Sequence, residues 1–153
     1  MFRINKLTDY AVVLLVDMAR TGRVRAAQQI ASETGVPLPT VSKVMKALVR
    51  GALVTSTRGA AGGYALARPA TDITVADMIQ ALEGPIALTA CVDTGDDLCG
   101  LETLCPMHGH WNAVNRKVEN ALRAVTLAEM AEPLLGEPPE AAGGAWFKGA
   151  VPA

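Results

Sequence analysis

Cys91, Cys99 and Cys105 lie in one short stretch, with seven and then five residues between them, and His108 follows the last cysteine by three positions. Thiolates are the usual protein ligands of iron-sulfur clusters, and an imidazole can replace one of them and raise the reduction potential. The same four groups also suffice for a tetrahedral zinc ion, although zinc sites more often contain a tight Cys-x2-Cys pair, which is missing here. The stretch Asp93-Thr94-Gly95-Asp96-Asp97 is polar and flexible, which suits an exposed, exchangeable cofactor better than a rigid staple. An odd, clustered set of cysteines points to metal or redox chemistry rather than to a disulfide framework, given a reducing compartment. On the residues alone, cluster and zinc both stay open.

The elements that must carry this set are best approached through charge. The chain of 153 residues has a formal net charge of only -1. Residues 1–68 hold ten Lys or Arg against three Asp or Glu, about +7, and the remainder holds four against twelve, about -8. A basic half beside an acidic half is expected where one part of a protein meets a polyanion such as nucleic acid. The longest apolar run, residues 11–16, is bracketed by Asp9 and Asp17 and reads as a core helix rather than a membrane span or secretory signal. The expected location is the cytoplasm, with no membrane partner.

Leu7, Ala11, Leu14, Leu15 and Met18 recur at helical spacing, with Thr8 and Asp9 as possible caps and an end near Thr21-Gly22. A second short helix over residues 26–34 buries Ile30 and stops at Gly35. Pro37 and Pro39 precede a third helix over about residues 40–50. This helix buries Val41, Val44, Leu48 and Val49 and leaves Thr40, Ser42, Lys43, Lys46 and Arg50 mainly on its open side. Two short helices joined by a glycine-containing turn, the second basic on its outer face, form the helix-turn-helix pattern, and the second would enter the major groove. Leu53-Val54-Thr55-Ser56 and Tyr64-Ala65-Leu66-Ala67 then read as strands around a tip of small residues carrying Arg58, a wing suited to close approach to a phosphate or a narrow groove.

The run Val36-Pro37-Leu38-Pro39-Thr40-Val41-Ser42-Lys43-Val44, then Gly51-Ala52-Leu53-Val54, then Arg58-Gly59-Ala60-Ala61-Gly62-Gly63-Tyr64-Ala65-Leu66-Ala67-Arg68 resembles the iron-sulfur regulators of the IscR and NsrR type. The opening Arg3-Ile4-Asn5-Lys6-Leu7-Thr8-Asp9-Tyr10-Ala11 and the segment from Gly84-Pro85-Ile86 to Cys91 look most like the branch that regulates the SUF cluster-assembly system. The resemblance spans about residues 2–132. It implies a winged-helix homodimer, a palindrome-like site on double-stranded DNA, and a cluster in a loop before a long dimer helix. It also implies control of cluster-assembly genes. The expected cofactor is an iron-sulfur cluster on Cys91, Cys99 and Cys105, 2Fe-2S in preference to 4Fe-4S. His108 matches the IscR-type histidine, and Asp9 matches the NsrR-type carboxylate supplied by the partner subunit. His108 is the favoured fourth ligand, while His110 reads as a solvated residue.

Thr74-Val75-Ala76-Asp77 has the form of a capping box opening a helix through Leu82, which ends at Gly84-Pro85. Past the ligand loop, Trp111, Val114, Val118, Ala121, Leu122 and Val125 trace an apolar stripe at close to heptad spacing, read as a homodimer seam. Thr126-Leu127-Ala128-Glu129 begins a short last helix. The expected fold is therefore mainly α with a small β-hairpin. Its parts are a winged helix-turn-helix domain over 1–84, a ligand loop over 85–110, a dimerisation helix with a short terminal helix over 111–132, and a disordered tail over 133–153. An enzyme is a second function class, but no nucleophile–base pair or phosphate-cradling motif appears. A nitric-oxide or redox sensor of the same fold would differ in target genes and ligand set, and a zinc-stabilised regulator would differ in its cofactor.

Overall fold

A computed structural model of the chain describes residues 3–89, 92 and 106–133. Helix α1 (Lys6–Thr21) is capped by Asn5, whose side-chain oxygen accepts from the backbone N–H groups of Leu7 and Thr8 at 2.8 and 3.0 Å. Asn5 thus fills the place expected of Thr8 or Asp9. Thr8 is instead fully buried, and its hydroxyl donates to Glu83 Oε1 at 2.6 Å. Gly22 closes the helix in the left-handed region at φ 63°, where a side chain would be strained.

Helix α2 (Ala27–Thr34) and helix α3 (Leu38–Arg50) follow. Helix α3 begins two residues before the expected Thr40, because Pro39 sits in the first turn, where a missing N–H breaks no helical bond. Leu14, Leu15, Ile30, Val41, Val44 and Leu48 are all fully buried where the three helices meet. Val49, expected in that core, is half-buried, and Met45 lies inside in its stead. Strands β1 (Val54–Thr57) and β2 (Gly63–Leu66) pair antiparallel, Val54 opposite Leu66 and Thr57 opposite Gly63. Each strand is displaced by one residue from its sequence-based position.

Helix α4 (Val75–Glu83) opens on the expected capping box, with Thr74 N–H donating to Asp77 at 3.0 Å and Asp77 N–H donating to the Thr74 hydroxyl at 3.2 Å. Helix α5 (His108–Arg123) begins three residues before Trp111. Helix α6 (Leu127–Ala131) carries a second such box, Thr126 with Glu129, and hydrogen bonds from the Thr126 backbone and hydroxyl hold the Glu129 carboxyl below the usual carboxylate range. Helix α6 returns to the helix-turn-helix core. Leu127 is fully buried there, its N–H donates to Ile73 O at 2.7 Å, and Arg20 Nε donates to Ala131 O at 2.8 Å. Among the described residues no helix is long and apolar enough to cross a membrane.

Candidate nucleic-acid interface

Helix α3 divides cleanly between its two sides. Val41, Val44, Met45 and Leu48 are buried, while Lys43, Lys46 and Arg50, at i, i+3 and i+7, form one exposed stripe. Thr40 and Ser42 are half-buried beside that stripe, and Arg58 is exposed at the tip of the wing. The ion pairs among the described residues join Arg23 to Glu33, Arg25 to Asp17 and Glu33, Arg68 to Asp77, and Arg123 to Asp77 and Glu119. Lys43, Lys46, Arg50 and Arg58 take part in none of them. Two of the three carboxylates of residues 1–68 are engaged by Arg25, so the four cations of α3 and the wing stay where a polyanion could meet them.

Arg25 also fastens the wing, a role the sequence did not reveal. The residue is 3% exposed and its side chain bridges Asp17 of α1 and Glu33 of α2, with Nε buried and without a hydrogen-bond partner among the described residues. Its backbone pairs with β2: Arg25 N–H donates to Tyr64 O at 3.1 Å and Tyr64 N–H donates to Arg25 O at 2.8 Å. The adjoining Gly63 packs so closely that a Cβ there would lie 2.4 Å from Arg25 O. Backbone pairing, a glycine contact and the ion pairs of the buried Arg25 therefore seat the hairpin against the α1–α2 connection, and this sets where Arg58 can reach. No local signal marked Arg25, because its partners come from two different helices.

The expected ligand loop is approached from both sides. Cys91, Cys99 and Cys105 lie outside the described residues. His108 is the first residue of α5, and its side chain lies outside them as well. His110 is exposed in the first turn of that helix, as read from the sequence. Ahead of the cysteines, Ile86 is buried against Ala76 and Ile79 of α4. Asn115 of α5, 5% exposed, grips this approach with both ends of its amide: Nδ2 donates to Ile86 O at 2.8 Å and Oδ1 accepts from Leu88 N–H at 3.0 Å. Asp9 is exposed on the first turn of α1, in a groove of about 580 Å³ that also takes in Ile4, Val12, Val75, Ile79 and Met130.

Comparison with known proteins agrees with this geometry. The Rrf2 family, described as iron-dependent transcriptional regulator, matches residues 4–133. The HTH-type transcriptional regulator IscR of Klebsiella pneumoniae is 30% identical over 131 residues, covering 84% of this chain and 78% of the relative. Among solved structures, T. potens IscR superposes with a TM-score of 0.60 at 30% identity, covering 84% of this chain and 85% of that one. CymR (YrzC), the global cysteine regulator of B. subtilis, superposes with a TM-score of 0.65 at 25% identity, covering 86% and 97%. These relatives are regulators rather than enzymes. A winged helix with an uncompensated basic recognition face, matched along nearly its whole described length, makes this chain a member of the Rrf2 family of DNA-binding transcriptional regulators.

Proposed function

We propose that this Rrf2-family protein is a cytoplasmic regulator whose DNA affinity is set by an iron-sulfur cluster bound to Cys91, Cys99 and Cys105, and that it controls SUF cluster-assembly genes. His108 is the proposed fourth ligand, with Asp9 of the partner subunit as the alternative, and 2Fe-2S is preferred to 4Fe-4S. The donor set fits the group: three thiolates and an imidazole match cluster ligation. When bound, the cluster supplies a redox- and oxygen-responsive centre that rigid side chains cannot.

The observation that carries the reading is the double grip of Asn115 on Ile86 and Leu88, three residues short of Cys91. It ties the approach to the cysteines directly to α5, the helix that begins at His108. A change in the loop therefore acts at both its ends on the same helix. That helix is the proposed dimer seam, and a two-fold axis there would present two α3 helices to the half-sites of a palindromic operator. Base and phosphate contacts are assigned to Thr40, Ser42, Lys43, Lys46 and Arg50 of α3 and to Arg58 of the wing.

Strictly anaerobic purification followed by visible absorption and iron and sulfide analysis tests the cofactor. Stoichiometric iron and sulfide are expected. Zinc in their place sinks the cluster reading and with it the sensing mechanism, and leaves a zinc-stabilised regulator of the same fold.

A further inference from the structure

The first turns of α1 and α3 face one another across an open groove of about 390 Å³, lined by Lys6, Leu7, Tyr10, Pro39, Thr40 and Lys43. Leu7, Pro39 and the Tyr10 ring make an apolar floor, and the two ammonium groups stand beside it. Lys6 Nζ lies 5.7 Å from the centroid of the Tyr10 ring, inside the range of a cation–π contact, which narrows the freedom of a long side chain. No carboxylate lines this groove, and among the described residues neither Lys6 nor Lys43 takes part in an ion pair. Lys6 also lines the neighbouring groove that holds Asp9, the nearest acidic residue along α1, but makes no ion pair with it among the described residues.

We infer that this groove seats the sugar-phosphate backbone of the DNA strand beside the recognition helix, with Lys6 and Lys43 each contacting a phosphate of that strand. The inference rests on α3 being the recognition helix and extends the interface to α1. Two features favour this occupant. The groove is continuous with the exposed face of α3, since Thr40 and Lys43 belong to both. Its mixture of positive charge outside any ion pair and apolar floor matches a chain of phosphates and deoxyriboses, whereas an apolar protein segment would leave two ammoniums desolvated without partners. A contact of this kind positions the protein on the duplex and carries no base information.

The test is a salt titration of the full-length protein on a fluorescein-labelled duplex of mixed sequence, followed by anisotropy. Removing one phosphate contact lowers the magnitude of the slope of log affinity against log salt by about 0.9. Lys6→Ala should lower the slope by about that amount and weaken binding by the same factor on unrelated sequences, while Lys6→Arg should keep the slope. Lys6 is exposed, so the thermal melt of the variant should match that of the wild type. An unchanged slope in Lys6→Ala beside a reduced one in Lys43→Ala overturns the α1 contact and leaves α3 as the recognition helix. Unchanged slopes in both variants overturn the α1 contact and the assignment of α3 together.

Discussion

The proposed fourth ligand turns on two residues that differ in where they stand. His108 begins α5, directly after the loop, whereas Asp9 sits on α1 in a groove remote in sequence from the cysteines. Loss of a ligand changes the electronic environment of the iron, so the visible spectrum separates the two. Alanine at any of Cys91, Cys99 or Cys105 should abolish the colour, and His108→Ala should give a weaker or shifted band while Asp9→Ala does not. The reverse pattern moves the ligand to helix one of the partner subunit. Asn115 admits a separate expectation. Its replacement by alanine leaves the Ile86 carbonyl and Leu88 N–H without their amide partner, which should cost about 1–3 kcal/mol of stability. Faster hydrogen exchange at Leu88 would show that the approach to the loop had loosened, and unchanged exchange would deny Asn115 that role.

At the scale of elements, much was legible because helices and strands have short periods. The 3.6-residue repeat of Val41, Val44 and Leu48 located α3, and the Thr74–Asp77 box located the start of α4. The cap of α1 is Asn5 rather than Thr8 or Asp9, because burial takes Thr8 out of the set of free caps. Thr8 is drawn inward by Glu83, 75 positions away. The docking of α6 was equally hidden, since Leu127 finds Ile73 and Ala131 finds Arg20 across long separations. Removing the Leu127 side chain should accordingly cost about 2–5 kcal/mol by leaving a core cavity, measurable by urea denaturation. The wing offers a sharper test. Arg58→Ala should weaken DNA binding by about 1–3 kcal/mol if the residue makes a bidentate or narrow-groove contact. Gly63→Ala should displace the hairpin, because the new Cβ meets Arg25 O at 2.4 Å. Were the two substitutions independent, their effects on binding would add. If the glycine acts by seating the wing, adding Arg58→Ala to Gly63→Ala should instead cost little more, and strict additivity would refute the seating argument.

For the whole molecule, the question is what covers α5. Its apolar positions fall into two rows. Leu122 packs on Ala76, Ile79 and Ile86 of its own chain, in line with Asn115 one heptad earlier. Glu119, on the same side, meets Gln80 at 3.5 Å. The other row, Trp111, Val114, Val118 and Ala121, runs at spacings of three, four and three, and Trp111 and Val114 remain 39% and 43% exposed, while Val125, read from the sequence as its continuation, lies beyond the end of α5. That alternation is the spacing a two-stranded coiled-coil seam requires, and the row is left open after the chain has buried its other row. In the proposed homodimer a second copy of the same helix would cover it by symmetry. Val118, at the middle of the row, is the position to break. Val118→Asp would place a charge inside the seam, at a cost too great for it to persist unpaired, and should turn a dimer into monomers in light scattering. Leu122→Ala is the control, since it should lower the stability of each chain while leaving the dimer intact. A wild-type monomer at micromolar concentration would end the case for paired half-sites, and dissociation by Leu122→Ala with none by Val118→Asp would put the seam on the wrong row.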